Sequence, residues 1–191
     1  MLRRAQDGDE EAFIQLYRRR QGAIYRFAYH MTGSAATAED VAQDVFLALM
    51  KTGGSFDPAR GSLSAYLFGI ARKLVLRHLD RSRYLIALDS EGQDVAMTRL
   101  ALSTDPMVDL MRREGLEQLR QAVLTLPKRY REVVALCDLQ EMDYVAAAAT
   151  LDCPVGTVRS RLHRARGLLL EKLQKQEVRP VGALKPARSL I

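Results

Sequence analysis

The sequence predicts an all-α protein made of two small helical domains, and three observations support this fold class. Apolar residues recur at helical spacing in both halves of the 191-residue chain, and no strand-like alternation appears between them. Near the C-terminus, a short alanine-rich helix, a tight turn and a basic helix follow one another. Basic segments occur in both halves and an acidic segment separates them. We therefore expect two basic modules and a connector.

Three helices are predicted in the first half. The first carries an apolar stripe from Phe13 to Met31 and ends at Gly33, since glycine readily adopts the left-handed conformation of a helix C-cap. The second runs from residue 38 to about residue 51. Its start, Thr37-Ala-Glu-Asp40, is a variant of the capping box with Asp in the last position.

The third helix follows the loop GGSFDPARGS. Its apolar stripe runs from Leu63 to Leu74, and it ends in the basic run RHLDRSR. Residues 72 to 83 hold five Lys or Arg residues against one Asp. Three packed helices with a basic end form a plausible first domain, which we place at residues 1 to 84.

In the middle of the chain the net charge changes from positive to negative. Residues 84 to 118 hold seven acids against three arginines, with weak periodicity and an Asp105-Pro106 step. We predict a flexible acidic linker at residues 85 to 114 and a second domain at residues 115 to 175. The tail at 176 to 191, with two prolines and few large apolar residues, is expected to be disordered.

The second domain is predicted to end in a helix-turn-helix. A helical stripe begins at Leu116, is broken by Pro127 and resumes at Val133. Asp143 then caps a short helix over residues 143 to 151. A tight turn precedes a helix that starts near Cys153, because Pro154 suits the first helical position.

The last helix has one apolar and one basic face. At about 100° per residue, the apolar stripe consists of Val158, Leu162, Ala165 and Leu169. The opposite side carries Gly156, Arg159, Ser160, His163 and Arg164, with Arg161 and Arg166 on the flanks. A solvated basic face is the alternative, but such faces usually mix both signs of charge. Arginine forks that bind guanine edges or phosphates explain the pattern better.

Composition and charge limit the kinds of function that the protein can have. A net charge of +6 and a pI near 9.5 suit a polyanionic partner. The two cysteines lack the spacing of a zinc site, and no Ser/His/Asp or Cys/His arrangement can be assembled, so we expect no metal, no cofactor and no enzyme activity. Neither a long apolar run nor a signal-peptide core is present, which predicts a cytoplasmic protein without membrane insertion.

Three segments in order resemble bacterial sigma factors of the extracytoplasmic-function (ECF) group. They are TAEDVAQDVFLALM, FDPARGSLSAYLFGIARKLVLRHLDR, and LPKRYREVVALCDLQEMDY joined to CPVGTVRSRLHRAR. The resemblance spans residues 3 to 173 and implies sigma domain 2 and sigma domain 4 with a linker between them. It implies an alternative sigma factor: a non-catalytic subunit that binds core RNA polymerase, directs it to specific promoters and assists DNA melting.

The resemblance also implies where polymerase binds. In the family, the helix matching residues 38 to 50 contacts the clamp helices of the β′ subunit, and domain 4 contacts the β flap. The matching residues are Asp40, Gln43, Asp44, Phe46 and Leu47, with Asp44 standing where the family usually has Glu. A capping role explains Asp40 about equally well. Gln43 and Asp44 lie beyond the first turn, so a partner explains them better.

The segment from 56 to 83 resembles the part that opens the minus-ten element and holds the separated strand. In the family, the loop matching residues 52 to 62 receives a flipped base, for which Ser55 and Phe56 supply a donor and a stacking face. The minus-ten contacts that the resemblance implies are Arg60, Ser62, Tyr66, Arg72, Lys73, Arg77 and Arg81. Tyr66 stands where the family often has Trp, and a core role explains it better. Lys73 stands where Asn is common, which alters the expected base preference.

The helix-turn-helix resembles the reader of the minus-thirty-five element. The family's contact positions fall on Arg159, Ser160, His163 and Arg164. Arg161 suits either a phosphate contact or a solvated position, and Thr157 suits either a cap or a phosphate contact. Asp152 replaces a glycine common at the turn, which Asp tolerates better than most residues do. Ala147 replaces a larger aliphatic residue.

Duplex promoter DNA, the melted strand and an anti-sigma protein are the further partners that the resemblance implies, with nucleoid association when the protein is active. The alternative is a polymerase-independent helix-turn-helix regulator. Such a regulator is expected to have a dimerisation helix and a sensor domain, and the sequence shows neither. An all-α enzyme would need a convergent set of titratable residues, and spacing reveals none.

Overall fold

A computed structural model describes residues 2 to 51, 56 to 88 and 106 to 177. These residues form helices and no strands, so the predicted all-α class is confirmed. The α-helices are α1 (Leu2–Gln6), α2 (Glu10–Thr32), α3 (Ala35–Lys51), α4 (Leu63–Leu88), α5 (Pro106–Leu124), α6 (Lys128–Val133), α7 (Tyr144–Leu151) and α8 (Val155–Glu177). A 3₁₀ turn at Pro58–Arg60 precedes α4, and a π-helical turn at Val134–Asp138 extends α6.

The first module consists of α1 to α4, and its core forms where α2, α3 and α4 pack together. The side chains at its centre have no more than 2% of their surface exposed: Ile24, Phe27, Met31, Val41, Val45, Leu49, Leu67 and Val75. These positions follow the apolar stripes of the sequence, because a helix must bury its apolar face against another element.

The end of α2 and the start of α3 are fixed by their caps. Gly33 adopts a left-handed conformation (φ 75°), and its N–H donates to the carbonyl of Tyr29 at 2.8 Å, so the predicted stop at Gly33 is confirmed. The predicted start of α3 is wrong. Ser34, not Thr37, accepts the capping bond, from the N–H of Thr37 at 3.2 Å. The helix therefore begins at Ala35, and Asp40 lies beyond its first turn.

The second module consists of α5 to α8. Leu126, Val133, Leu136, Val158 and Leu162 are among its buried side chains. Its first helix begins at Pro106, so regular structure extends into the stretch that was expected to be a flexible linker. Helix α4 likewise continues to Leu88. Residues 89 to 105 and the tail beyond residue 177 lie outside the described residues, as do Ser55 and its neighbours at 52 to 54.

The two modules share one continuous apolar core, because α5, α6 and the π-helical turn pack against α2, and α7 packs against α4. At the centre of this contact, the guanidinium of Arg131 donates to the carbonyl of Met31 at 2.6 Å and to the carbonyls of Leu124 and Leu126. Leu124 also lies over Gly33, where a Cβ would come within 2.9 Å of its Cδ1. The turn between α5 and α6 therefore packs against the end of α2.

Candidate nucleic-acid interface

Helix α8 presents the basic face that the sequence predicted. Val158, Leu162, Ala165 and Leu169 are buried against the rest of the second module, as the stripe required. On the other side, Arg159, Ser160, His163 and Arg164 are all exposed. Thr157 and Arg161 are half-buried at the edge of this face. Packing thus fixes the rotation of α8 about its axis, and the four predicted contact residues lie together on its outer side.

The turn before α8 sets the angle at which it leaves α7. Asp143 accepts hydrogen bonds from the N–H groups of Val145 (3.0 Å) and Ala146 (2.8 Å), so it caps α7 as predicted. Asp152 ends α7 in the left-handed region at φ 53° and ψ 54°. The carbonyl of Pro154 then accepts from the N–H groups of Thr157 and Val158, so α8 begins at Val155, one residue after the proline that was expected at the first helical position.

Two side-chain contacts hold the outer arginines in place. The Arg159 guanidinium lies 5.9 Å from the centre of the Tyr144 ring, at the start of α7. Arg166 pairs with Asp138 at 2.5 Å, and this pairing raises the pKa of Arg166 further above its ordinary value. Asp138 therefore offsets part of the charge at the flank, while the charges of Arg159 and Arg164 stay exposed.

Helix α4 carries most of the predicted minus-ten residues along one side. Ser62 caps the helix by accepting from the N–H of Ala65 at 3.1 Å. Tyr66 is half-buried, packs against the core and lies beside Phe56, with 5.5 Å between the ring centres. This placement agrees with the core role favoured for Tyr66. Lys73, Arg77 and Arg81 are exposed. The side chain of Arg60 lies outside the described part of the chain.

Arg72 differs from its basic neighbours because it is paired. Its Nε lies 2.8 Å from Oε1 of Glu132 on α6, and the Glu132 side chain is only 5% exposed. Sequence reasoning missed Glu132. The available signal was an acid beside the apolar pair Val133 and Val134, a position at which a carboxylate is buried only with a partner.

A groove of about 460 Å³ lies between α4 and α7. Ser62, Tyr66, Arg72 and Lys73 line it on the α4 side, together with Phe56 from the preceding loop. Thr150 and Asp152 line the opposite side. The groove therefore brings four of the predicted minus-ten residues together, and the second module forms its other wall.

Helix α3 exposes the acidic and amide face expected to bind polymerase. Asp40, Gln43, Asp44 and Leu47 are exposed at positions that recur every three or four residues, and Leu47 is 56% exposed. Capping no longer accounts for Asp40, since Ser34 performs that role. Phe46 does not fit the expected surface. It is 2% exposed and packs 4.8 Å from the Tyr17 ring, so it supports α3 from within the core.

Neither cysteine forms a disulfide, and burial raises the pKa of the Cys137 thiol to about 11. In the part of the chain that the structure describes, no three His, Cys, Asp or Glu side chains are grouped so as to hold a metal ion. Among the same residues, no helix has both the length and the apolar character needed to cross a membrane.

Comparison with known protein families matches both modules. The model of Sigma-70 region 2 matches residues 16 to 84. The model of Sigma-70, region 4 matches residues 116 to 169. The ECF RNA polymerase sigma factor SigW of Bacillus subtilis is 29% identical over 178 residues, which cover 91% of this chain and 95% of that protein. The RNA polymerase sigma-H factor of Pseudomonas aeruginosa is 30% identical over 181 residues, 91% of this chain and 92% of that protein.

Solved structures agree with the sequence matches. CnrH, in complex with the cytosolic domain of CnrY, has a TM-score of 0.68 at 27% identity, covering 91% of this chain and 95% of CnrH. The sigma factor RpoE of Bartonella quintana, in complex with the anti-sigma factor NepR, has a TM-score of 0.67 at 27% identity, covering 87% of this chain and 97% of RpoE.

The two helical modules, the helix-turn-helix and the matched regions define a transcription initiation factor of the sigma-70 class. Both regions occur in the order expected for that class, and the full-length relatives extend across nearly the whole chain. The chain belongs to the extracytoplasmic-function group of the sigma-70 family and is an alternative sigma factor.

Proposed function

We propose that this chain binds core RNA polymerase through the exposed face of α3 and reads promoter DNA with α8 and α4. The observation that carries the proposal is the geometry of α8. Its apolar side is fully used by packing, while Arg159, Ser160, His163 and Arg164 face outward without an acid among them. A helix of this width fits the major groove of B-DNA, where arginine forks distinguish guanine.

The other two surfaces have complementary roles in the proposal. The exposed side of α4, with Lys73, Arg77 and Arg81, tracks the phosphates of the separated minus-ten strand. Asp40, Gln43, Asp44 and Leu47 of α3 bind the β′ clamp helices. The second module contacts the β flap. Opening the duplex in this way requires capture of bases and no covalent step, so the proposal gives the chain no catalytic residue and no cofactor.

An anti-sigma protein is the regulatory partner in this proposal. Support comes from the structural relatives, since RpoE of Bartonella quintana was solved with the anti-sigma factor NepR. Because core polymerase and promoters are its targets, we place the chain in the bacterial cytoplasm, on the nucleoid when it is active.

Run-off transcription with core polymerase and DNA from upstream of the chain's own gene tests the proposal. Arg159→Ala with Arg164→Ala should reduce transcription by at least tenfold, since one good bidentate base contact is worth about 1–3 kcal/mol. The matched control is Arg18→Ala with Arg19→Ala, which removes the same charge from an exposed part of α2. The control should keep nearly full activity.

Two results would contradict the proposal. If both double variants lose activity equally, the effect arises from net charge and not from the α8 face. If the wild-type protein binds duplex DNA yet never directs polymerase, the polymerase-independent regulator replaces the sigma factor.

A further inference from the structure

Tyr144, the first residue of α7, lies against the basic side of α8 and contacts two of its arginines. The centre of its ring is 5.9 Å from the Arg159 guanidinium. The pKa of Arg166 is raised first by its pairing with Asp138 and, to a smaller extent, by a side-chain hydrogen bond with Tyr144. Arg159 and Arg166 are seven residues apart in the sequence, which is about two turns of an α-helix. One tyrosine side chain therefore spans the space between them.

Packing in the core does not account for the place of this tyrosine. Tyr144 is 36% exposed, and it belongs neither to the buried cluster that both modules share nor to the half-buried residues packed against that cluster. Its ring and its hydroxyl instead contact Arg159 and Arg166. The contacts of Tyr144 thus serve the outer side of α8.

The side chain of Tyr144 is fixed at both ends. At the backbone, Asp143 caps α7 with two hydrogen bonds. At the other end, the hydroxyl contacts Arg166, whose Nε and Nη2 lie 3.2 Å and 2.5 Å from the two carboxylate oxygens of Asp138. A guanidinium bound to a carboxylate by two hydrogen bonds has a defined orientation. The ring is therefore presented to Arg159 in one orientation.

The other predicted base-reading arginine of α8 lacks such support. Arg164 is exposed and has neither a ring nor an acid as a partner among the residues that the structure describes. An arginine side chain loses much rotamer freedom when it binds. Arg159 has lost part of that freedom before DNA arrives, because the face of an aromatic ring attracts a cation. Arg164 must lose all of it on binding.

We propose that Tyr144 is a positioning residue for Arg159 and thereby strengthens the base preference of α8 at one base pair. The inference rests on the proposed reading of duplex promoter DNA by α8. At a wrong base pair, a free arginine turns away to solvent or phosphate without cost, whereas Arg159 must first give up its contact with the ring. The added discrimination is limited by the strength of that contact, about two- to fivefold at an exposed site.

Run-off transcription from two competing templates tests the inference. Core polymerase and the full chain transcribe both templates in one reaction. One template carries the upstream element of the chain's own gene, and the other carries a single changed base pair and gives a product of different length. The ratio of the two products measures base discrimination, whatever fraction of the protein is active. A scan of the element with Arg159→Ala and Arg164→Ala identifies the base pair at which each arginine discriminates.

Tyr144→Ala should lower the product ratio about two- to fivefold at the base pair read by Arg159. It should leave the ratio as in wild type at base pairs that Arg159 does not read, including any read by Arg164 alone. Tyr144→Phe keeps the ring and should keep most of the wild-type ratio. Tyr144→Leu keeps an apolar side chain without an aromatic face and should behave like the alanine variant.

Val145→Ala is the matched control. Val145 is the next residue of α7 and is 69% exposed. Its substitution shortens a neighbouring side chain but leaves the ring in place, so every product ratio should match that of wild type. A change at the Arg159 base pair in this variant would show that any alteration of α7 affects base choice and would overturn the role of the ring.

Other results would also contradict the inference. If Tyr144→Ala lowers total transcription but changes no ratio, the tyrosine supports the fold or contacts phosphate, because phosphate contacts carry no sequence information. Equal changes at the Arg159 and Arg164 base pairs would show that α8 as a whole has moved. If Tyr144→Phe loses as much discrimination as Tyr144→Ala, the ring does not position Arg159.

The same reactions separate this inference from the proposed function. If the wild-type chain directs transcription but Arg159→Ala changes no ratio, Arg159 reads no base and the positioning role fails, while the sigma function stands. If the wild-type chain directs no transcription, the proposed function fails and the inference fails with it.

Discussion

His30 is a residue whose protonation affects stability, because its imidazole sits where the two modules meet. It lies on α2, half-buried, with Arg120 of α5 and Arg26 of α2 as the charges that act on it. Its Nδ1 has no hydrogen-bond partner among the described residues. Burial, which is the larger cause, lowers the pKa of His30 below its ordinary value. The nearby positive charges of Arg120 and Arg26 lower it further.

The direction of the pH effect follows from that shift. In the unfolded chain His30 takes up a proton near pH 6.5, whereas the folded chain holds it neutral to lower pH. The unfolded state then binds more protons, so stability falls as pH drops through about 6.5 toward the folded pKa. We expect His30→Gln to lose less stability than wild type between pH 7 and pH 5.5 in urea unfolding.

The exposed His163 supplies the control for this experiment. His163→Gln makes the same substitution at an exposed position of α8 and controls for the loss of one histidine. If stability depends on pH as steeply in His30→Gln as in wild type, another group controls the loss of stability at low pH.

At the scale of the element, α3 separates structural and binding roles between adjacent residues. Phe46 points into the core beside the Phe13 and Tyr17 rings, while Leu47 is exposed on the face with Asp40, Gln43 and Asp44. The sequence distinguishes the two faces only by periodicity, and the family resemblance assigned both residues to polymerase. Burial decides that only one of them faces outward.

Alanine substitutions at these two positions should give opposite results. Phe46→Ala should lower the free energy of unfolding by about 3–5 kcal/mol, the cost of a cavity in a packed core. Leu47→Ala should change stability by less than about 0.5 kcal/mol but weaken binding to core polymerase at least tenfold. Urea unfolding and fluorescence anisotropy with core polymerase measure the two quantities. Unchanged polymerase affinity in Leu47→Ala would remove α3 from the interface.

Periodicity predicted most of the helices, but it did not predict how their ends are formed or how they pair across the modules. Thr37 and Ser34 are both good cap residues, and only the backbone geometry shows that Ser34 accepts the bond. The π-helical turn, in which the N–H of Leu139 donates to the carbonyl of Val134, has no propensity signature. The Arg72–Glu132 pair joins residues 60 positions apart, beyond the reach of any local pattern.

At the scale of the whole molecule, one core runs through both modules. Met31, Leu49 and Val75 from the first module belong to the same buried cluster as Leu126 and Leu136 from the second. The family matches divide the chain into two regions, yet α2 packs against α5 and α6. Two units defined by sequence therefore share one folded interior in this arrangement.

Shared packing predicts cooperative unfolding. The chain has no tryptophan, so the fluorescence of a single introduced tryptophan follows the unfolding of the module that carries it. Tyr66→Trp on α4 and Tyr130→Trp on α6 should show the same urea midpoint, as two probes do for one two-state transition. Midpoints that differ clearly, with both variants as stable as wild type by circular dichroism, would show that the modules fold independently.

The packing of α8 has a consequence for how promoter preference can change. Val158, Leu162 and Ala165 hold the helix in place from one side, so Arg159, Ser160, His163 and Arg164 contribute little to folding. Substitutions among these four outer positions can therefore accumulate with little loss of stability. Evolution or protein engineering can therefore change which promoter sequence α8 recognises while the buried packing of the helix stays the same.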